Sequence, residues 1–245
     1  IPVANPATAE ELIMLGAALL EPRTGELTAL GIVEVPEGMA LSDGATRARH
    51  ARRLLQRVLD FAPEGTPIHP IVRIGRHAAE GIVEAAAELD ADLLVFGWGG
   101  KAPSGKDGAS VPFSSTIDEV VRDAPCDIAV VKQRGAHEIK RIVVPVRGGP
   151  HAELAMRFAD AIAQRHGAAL VALHIVPPGI TLAVRAQAER ALQAFVRQHA
   201  SAPTETVVRE ATNVRNAIVK EADRADLVVM GAAAAQTSGE ASTHL

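Results

Sequence analysis

Gly97, Gly100, Lys101, Ser114, Ser115 and Thr116 are the residues of this chain whose types and spacing can do chemistry. They fall within Ala91 to Lys132, ADLLVFGWGGKAPSGKDGASVPFSSTIDEVVRDAPCDIAVVK. The apolar run Leu93-Leu94-Val95-Phe96 reads as a buried strand ending in Gly97-Trp98-Gly99-Gly100. Glycines without a Cβ let backbone N–H groups come close to an anion. A hydroxyl-rich helix start adds more donors and the positive end of the helix dipole. Ser114-Ser115-Thr116 supplies that start, and Lys101 and Lys106 bring point charges into the intervening loop. Asp127 to Val131 then reads as a second buried strand. Strand, glycine loop, helix start and strand together predict a phosphate cradle, and so a nucleotide. The alternative is an ordinary loop with no ligand.

Other chemistries lack their residues. No Gly-Lys-Ser/Thr of the Walker type occurs, which argues against ATP hydrolysis. No His and Asp are spaced to activate a serine. The nine histidines are scattered, without His-x-x-x-His or Cys-x-x-Cys, so no metal is expected. Cys126, the single cysteine, precedes a strand and reads as a small core residue. Asp92 and Asp226 each precede a buried strand, and turn or capping roles are expected of both.

The elements that must position these residues alternate along the chain. Strands are predicted near 1–4, 27–34, 69–74, 92–96 and 127–132, with helices near 9–20, 44–61, 77–89 and 115–123. Thr8 with Glu11 reads as a capping box, and Ser42 or Asp43 as a second cap. Further strands are expected near 141–146, 169–176, 204–209 and 226–230, with helices near 151–165, 181–199 and 213–223. Strands apolar on both faces between helices imply an α/β chain with a parallel, doubly wound sheet. Ligands of such sheets sit beyond the carboxyl ends of the strands.

The order repeats. Ala91-Asp92-Leu93-Leu94-Val95-Phe96-Gly97 matches Ala225-Asp226-Leu227-Val228-Val229-Met230-Gly231, and Ala29 to Val33 matches Ala172 to Val176. Two tandem domains are expected, at 1–133 and 139–245, joined by a polar linker at 134–138 and packed as a pseudo-dimer. The arginines between Thr46 and Arg57 read as a solvated helix face, or else as a docking surface for a membrane or partner.

Composition sets the limits. The 245 residues are 48% hydrophobic, enough for a buried core. Aromatics are 2%, Tyr is absent and the net charge is −4, which argues against nucleic acid as a partner. One cysteine fits a reducing, cytoplasmic compartment. The start at Ile1, without Met, reads as a piece of a longer polypeptide.

At these residues the chain resembles a pair of universal stress protein (UspA-like) domains. IKRIVVPVRGGP at Ile139 to Pro150 is similar to that family's first strand, and ALHIV at Ala172 to Val176 to its second. Gly97 and Gly100 match its Gly-x-x-Gly, Ser115 its Ser/Thr, and Ala124-Pro125-Cys126 its approach to the last strand. The resemblance implies the adenine nucleotide alpha hydrolase-like, universal stress protein fold, a five-stranded parallel sheet flanked by helices. It implies a non-catalytic stress-response module that binds AMP, ATP or a cyclic dinucleotide, and a homodimer. On it, Ile32 and Val33 would frame the base, Asn5 would meet the ribose, and Gly97, Gly100, Lys101, Ser114, Ser115 and Thr116 would meet the phosphates. The phrasing at Val3 to Ala9 and Gly148 to Leu154 is also similar to modules fused behind bacterial amino-acid permeases and cation–proton antiporters. That implies a transporter regulatory domain on the cytoplasmic side. The alternative is a ligand-free structural or dimerisation domain of a transporter tail.

The pattern is broken in places. The family's acidic residue after the first strand falls at Ala4 and at Arg147, which removes the carboxylate from both halves. The loop at 101–113 is longer than the family's. In the second half Ala234 stands at the second glycine and the chain ends in QTSGEASTHL, so that half reads as degenerate or truncated.

Overall fold

A computed structural model of the protein describes residues 1–21, 24–98, 114–132 and 138–232. The chain divides into two compact units, Ile1–His137 and Glu138–Leu245.

In the first unit the order is α1 (Pro6–Leu19), β1 (Leu27–Glu34), α2 (Ala45–Leu59), β2 (Ile68–Gly75), α3 (Ala78–Glu88), β3 (Leu93–Trp98), α4 (Ser115–Asp123) and β4 (Asp127–Lys132). β1 pairs with β2 and β3 with β4, both in parallel. Alternation along β1 sends its side chains to two layers. Leu27 and Ala29 join Ala9 and Ile13 of α1 and Leu55 and Val58 of α2. Leu30 joins Ala79 and Ile82 of α3, Leu94 and Phe96 of β3, and Ile117 and Val120 of α4. Helices therefore cover both faces, as the apolar runs require.

Four expectations are corrected here. The strand at 1–4 is a single bridge, Pro2 to Leu30. Val3 donates to the Leu30 carbonyl (2.8 Å) and Leu30 to that of Ile1 (2.9 Å). The ladder goes no further along the chain because it turns into α1 at Pro6. Proline at the first helical position starts α1, so Thr8 lies inside the first turn instead of capping it. Ser42 and Asp43 lie in a 3₁₀ turn, Leu41–Gly44, and α2 starts after Gly44 without a side-chain cap. Phe61 falls beyond the end of α2 and is exposed.

The second unit runs β5 (Arg141–Pro145), α5 (Pro150–His166), β6 (Ala169–Val176), α6 (Leu182–His199), β7 (Thr204–Glu210), α7 (Val214–Ala222) and β8 (Leu227–Val228). Its parallel sheet has the order β7-β6-β5-β8. Val143, Val171 and Leu173 centre its core. The boundaries have local causes. Gly167 ends α5 in the left-handed region at φ 64. Thr181 and Asn213 accept from Val184 and Asn216 to start α6 and α7. Buried Asp160 accepts from the amides of Ser201 and Ala202 (2.9 and 2.7 Å), fixing the turn into β7. Buried Glu221 pairs with Arg209 at 2.8 Å and with Arg141 at 3.6 Å. β8 is shorter than the strand expected at 226–230. Its bonding still continues at both ends, from Asp226 to the Arg141 carbonyl and from Val229 to that of Val143.

Candidate functional site

Ile32 and Val33 stand near the carboxyl end of β1 and point to opposite faces of the sheet. Val33 is buried, on the side of α2. Ile32 packs towards α3, where Gly81 has no Cβ to hold it off. Of the two, Ile32 alone lines a cavity of about 170 Å³, with Arg73, Gly75, Arg76, His77 and Glu80. Drug-sized ligands occupy roughly 300–1,000 Å³. This cavity therefore takes at most part of a nucleotide.

Both arginines around it are already engaged. Arg76 donates to the carbonyls of Val35 (3.1 Å), Pro36 (2.6 Å) and Met39 (2.8 Å), clamping the loop after β1. Arg73 forms a two-bond ion pair with Glu88. That pairing, a hydrogen bond before any longer-range attraction, lowers the Glu88 pKa and raises that of Arg73. Glu34, last in β1, accepts from the Ala78 amide at 2.8 Å and so occupies the N-terminus of α3. Nothing in the sequence signals this cap, because its two residues are far apart in the chain.

Gly97 sits next to last in β3, opposite Val131. Trp98 ends the strand, and the Lys132 ammonium lies over its ring at 4.4 Å. Ser114 caps α4: its hydroxyl oxygen accepts from the Ile117 amide at 3.4 Å. Ser115 and Thr116 are the first two residues of that helix. Ile117 packs in the same cluster as Phe96 and Leu30, with Ile32 against it. The end of β1, the end of β3 and the start of α4 thus share one core. Asn5 is exposed just before α1, and its carbonyl accepts from Thr8. Gly100, Lys101 and Lys106 lie outside the described residues. Among the described residues no cluster of His, Cys, Asp and Glu could hold a metal. Burial raises the pKa of the half-buried Cys126 thiol, consistent with a packed residue.

In the second unit the switch point of the sheet lies between β5 and β8. Gly231 lies against the His151 carbonyl in the first turn of α5. The His174 ring meets the Val146 carbonyl at 2.8 Å, tying the ends of β6 and β5 together. Gly148 and Gly149 hold positive φ there (98 and 85).

Comparison with known proteins decides the family. The model of the universal stress protein family matches residues 1–132 and again 138–240. The chain belongs to the universal stress protein family. Of curated proteins, this tandem universal stress protein is similar to the Na(+)/H(+) antiporter NhaS5 of Synechocystis sp. (strain ATCC 27184 / PCC 6803 / Kazusa). The two are 28% identical over 239 residues, 94% of this chain and 33% of the antiporter. The chain thus spans about one third of that relative's length. In structure it is similar to a universal stress protein from Archaeoglobus fulgidus DSM 4304, with TM-score 0.62 and 13% identity over 94% of this chain and 84% of the other. It is also similar to protein PA1789 of Pseudomonas aeruginosa PAO1, with TM-score 0.56 and 15% identity over 84% and 71%. At such identities the likeness is one of fold. The parallel α/β architecture in two tandem domains agrees with it.

Proposed function

We propose that this universal stress protein is a non-catalytic regulatory module whose first domain binds an adenine nucleotide. The supporting observation is that Ile32, Phe96 next to Gly97, and Ile117 in the Ser114-capped first turn of α4 pack in one core near the carboxyl ends of parallel strands. The base lies against Ile32 in the small cavity. The phosphate lies outside it, over Gly97, where the Ser115 and Thr116 hydroxyls and the positive end of α4 meet it. Gly100 and Lys101 belong to the same proposed contact, as do Asn5 at the ribose and the backbone of Val33. Ala4 stands where the family's carboxylate belongs, which favours AMP or a cyclic nucleotide over a metal-bridged ATP.

Calorimetry with AMP, ATP and a cyclic dinucleotide tests this reading, alongside emission of Trp98 during titration. Binding is expected with at least one of them, and Ser115→Ala with Thr116→Val weakens it. Absence of heat and of any emission change with all three ends the proposal.

A second reading has its own support, the similarity to a cation–proton antiporter across 94% of this chain. In it the two domains sit on the cytoplasmic side of a fused or associated transporter. They contribute structure or dimerisation, with a homodimer formed through Asp127–Lys132 or the exposed sheet edge of the second half, and bind nothing. It predicts that Gly97→Val leaves transport by the parent protein unchanged, whereas the nucleotide reading predicts altered regulation. No helix among the described residues is long and apolar enough to cross a membrane.

A further inference from the structure

Helix α2 carries Arg47, Arg49, Arg52, Arg53 and Arg57 and no acidic residue. Its inner face, Ala48, Leu55 and Val58, is buried. At 3.6 residues per turn, Arg49, Arg53 and Arg57 fall on the opposite side and Arg52 on the flank next to Ala48. All four are exposed. Among the described residues none of the five forms an ion pair. Arg47 donates to the Glu34 carbonyl and Arg49 to the Thr46 hydroxyl, and neither contact neutralises a charge. Large apolar side chains stand exposed at both ends: Met39 (42%) and Leu41 (48%) before the helix, Phe61 (37%) after it. Asp43 and Asp60 are at the ends, outside the row.

We propose that this face of α2 docks on an anionic lipid surface, with the arginines on headgroup phosphates and carboxylates and Leu41 and Phe61 entering the headgroup–acyl boundary. The inference goes beyond nucleotide binding and does not depend on it. Charge complementarity carries it. Like charges in one unpaired row repel, and an anionic partner relieves that repulsion. The chain's net charge of −4 does not oppose the docking, because a surface within about 8 Å, one Debye length, responds to the row and not to the whole molecule. The apolar ends select lipid over other polyanions. α2, 15 residues at 1.5 Å each, is about 22 Å long, and Leu41 and Phe61 stand beyond its two ends, a span over which a bilayer offers a continuous apolar layer. An acidic polypeptide would satisfy the arginines and leave those two side chains in water.

The test is co-sedimentation of the 245-residue chain with phosphatidylcholine vesicles, with and without phosphatidylserine. Binding is expected only with phosphatidylserine and is expected to fall as salt rises. Arg52→Gln with Arg53→Gln should weaken it about 30-fold, at about fivefold per arginine. Arg52→Lys with Arg53→Lys should restore it. Leu41→Ser with Phe61→Ser should weaken it at fixed salt. Circular dichroism melts of the arginine variants should match the parent's, since those side chains are exposed, and vesicle binding of the serine variant is compared at a temperature below the onset of its own melt. Equal binding to neutral vesicles, or full binding by the glutamine variant, overturns the proposal. Capture of poly-glutamate without binding to either vesicle overturns it in favour of a protein partner.

Discussion

The backbone of Gly231 rests against the carbonyl of His151, closing the second domain's sheet over the first turn of α5. A methyl group at Gly231 would overlap main-chain atoms of His151, which no side-chain rotation can move away. Gly231→Ala should therefore push the end of β8 outward and cost the second domain about 1–3 kcal/mol. Urea unfolding followed by circular dichroism measures this. His151→Ala, which leaves the contacted carbonyl in place, should not relieve the cost in the double variant. An unchanged midpoint for Gly231→Ala would mean that the chain after β8 is not held there.

Much of this architecture is legible in the sequence, for a physical reason. Runs such as Leu93 to Phe96 and Leu170 to Val176 are apolar at consecutive positions, and only a strand covered on both faces needs that. Ser114 announces α4 because capping is a contact of three residues, whereas Thr181 and Asn213 cap their helices with no cap expected there, and Thr8, Ser42 and Asp43 do not cap theirs. What stayed hidden involves partners distant in the chain. Glu34 at the start of α3, the Arg76 clamp on Pro36 and the Gly231–His151 contact each join residues that no local pattern relates. Of the proposed site, Gly97, Ser114, Ser115 and Thr116 fall at a strand end and a helix start, as their types suggest. Ile32 and Val33 diverge because adjacent strand residues alternate faces, which pairing them as a frame for the base overlooks.

Glu34→Ala should remove the acceptor from the Ala78 amide and destabilise the first domain by about 1 kcal/mol, the usual cost of losing a helix cap. Amide hydrogen exchange should speed up at the first turn of α3 and stay unchanged in α4, whose cap is Ser114. Unaltered exchange at Ala78 would show that water replaces the carboxylate without loss.

Asp226 accepts from the amides of Lys140 and Arg141, both at 2.9 Å, and these bonds hold its pKa below the usual 3.8. The folded value is thus lower than the unfolded one. The carboxylate's contribution is complete above the unfolded pKa and is lost as pH falls through the lowered folded value. Acid titration of the second domain should show this loss below about pH 4, and Asp226→Ala should flatten that part of the profile while weakening the domain at neutral pH. The effect is small, because the group is exposed. A profile identical in both proteins would remove Asp226 from the acid response.

Trp98 is the protein's single tryptophan, Cys126 its single thiol, and tyrosine is absent. Both reporters fall in the first domain, which leaves the second silent to indole emission and to thiol labelling. Indole emission and maleimide labelling accordingly follow one half of the molecule alone. Subtracting either signal from a far-ultraviolet trace would separate the two unfolding transitions without a label, a truncation or an introduced fluorophore.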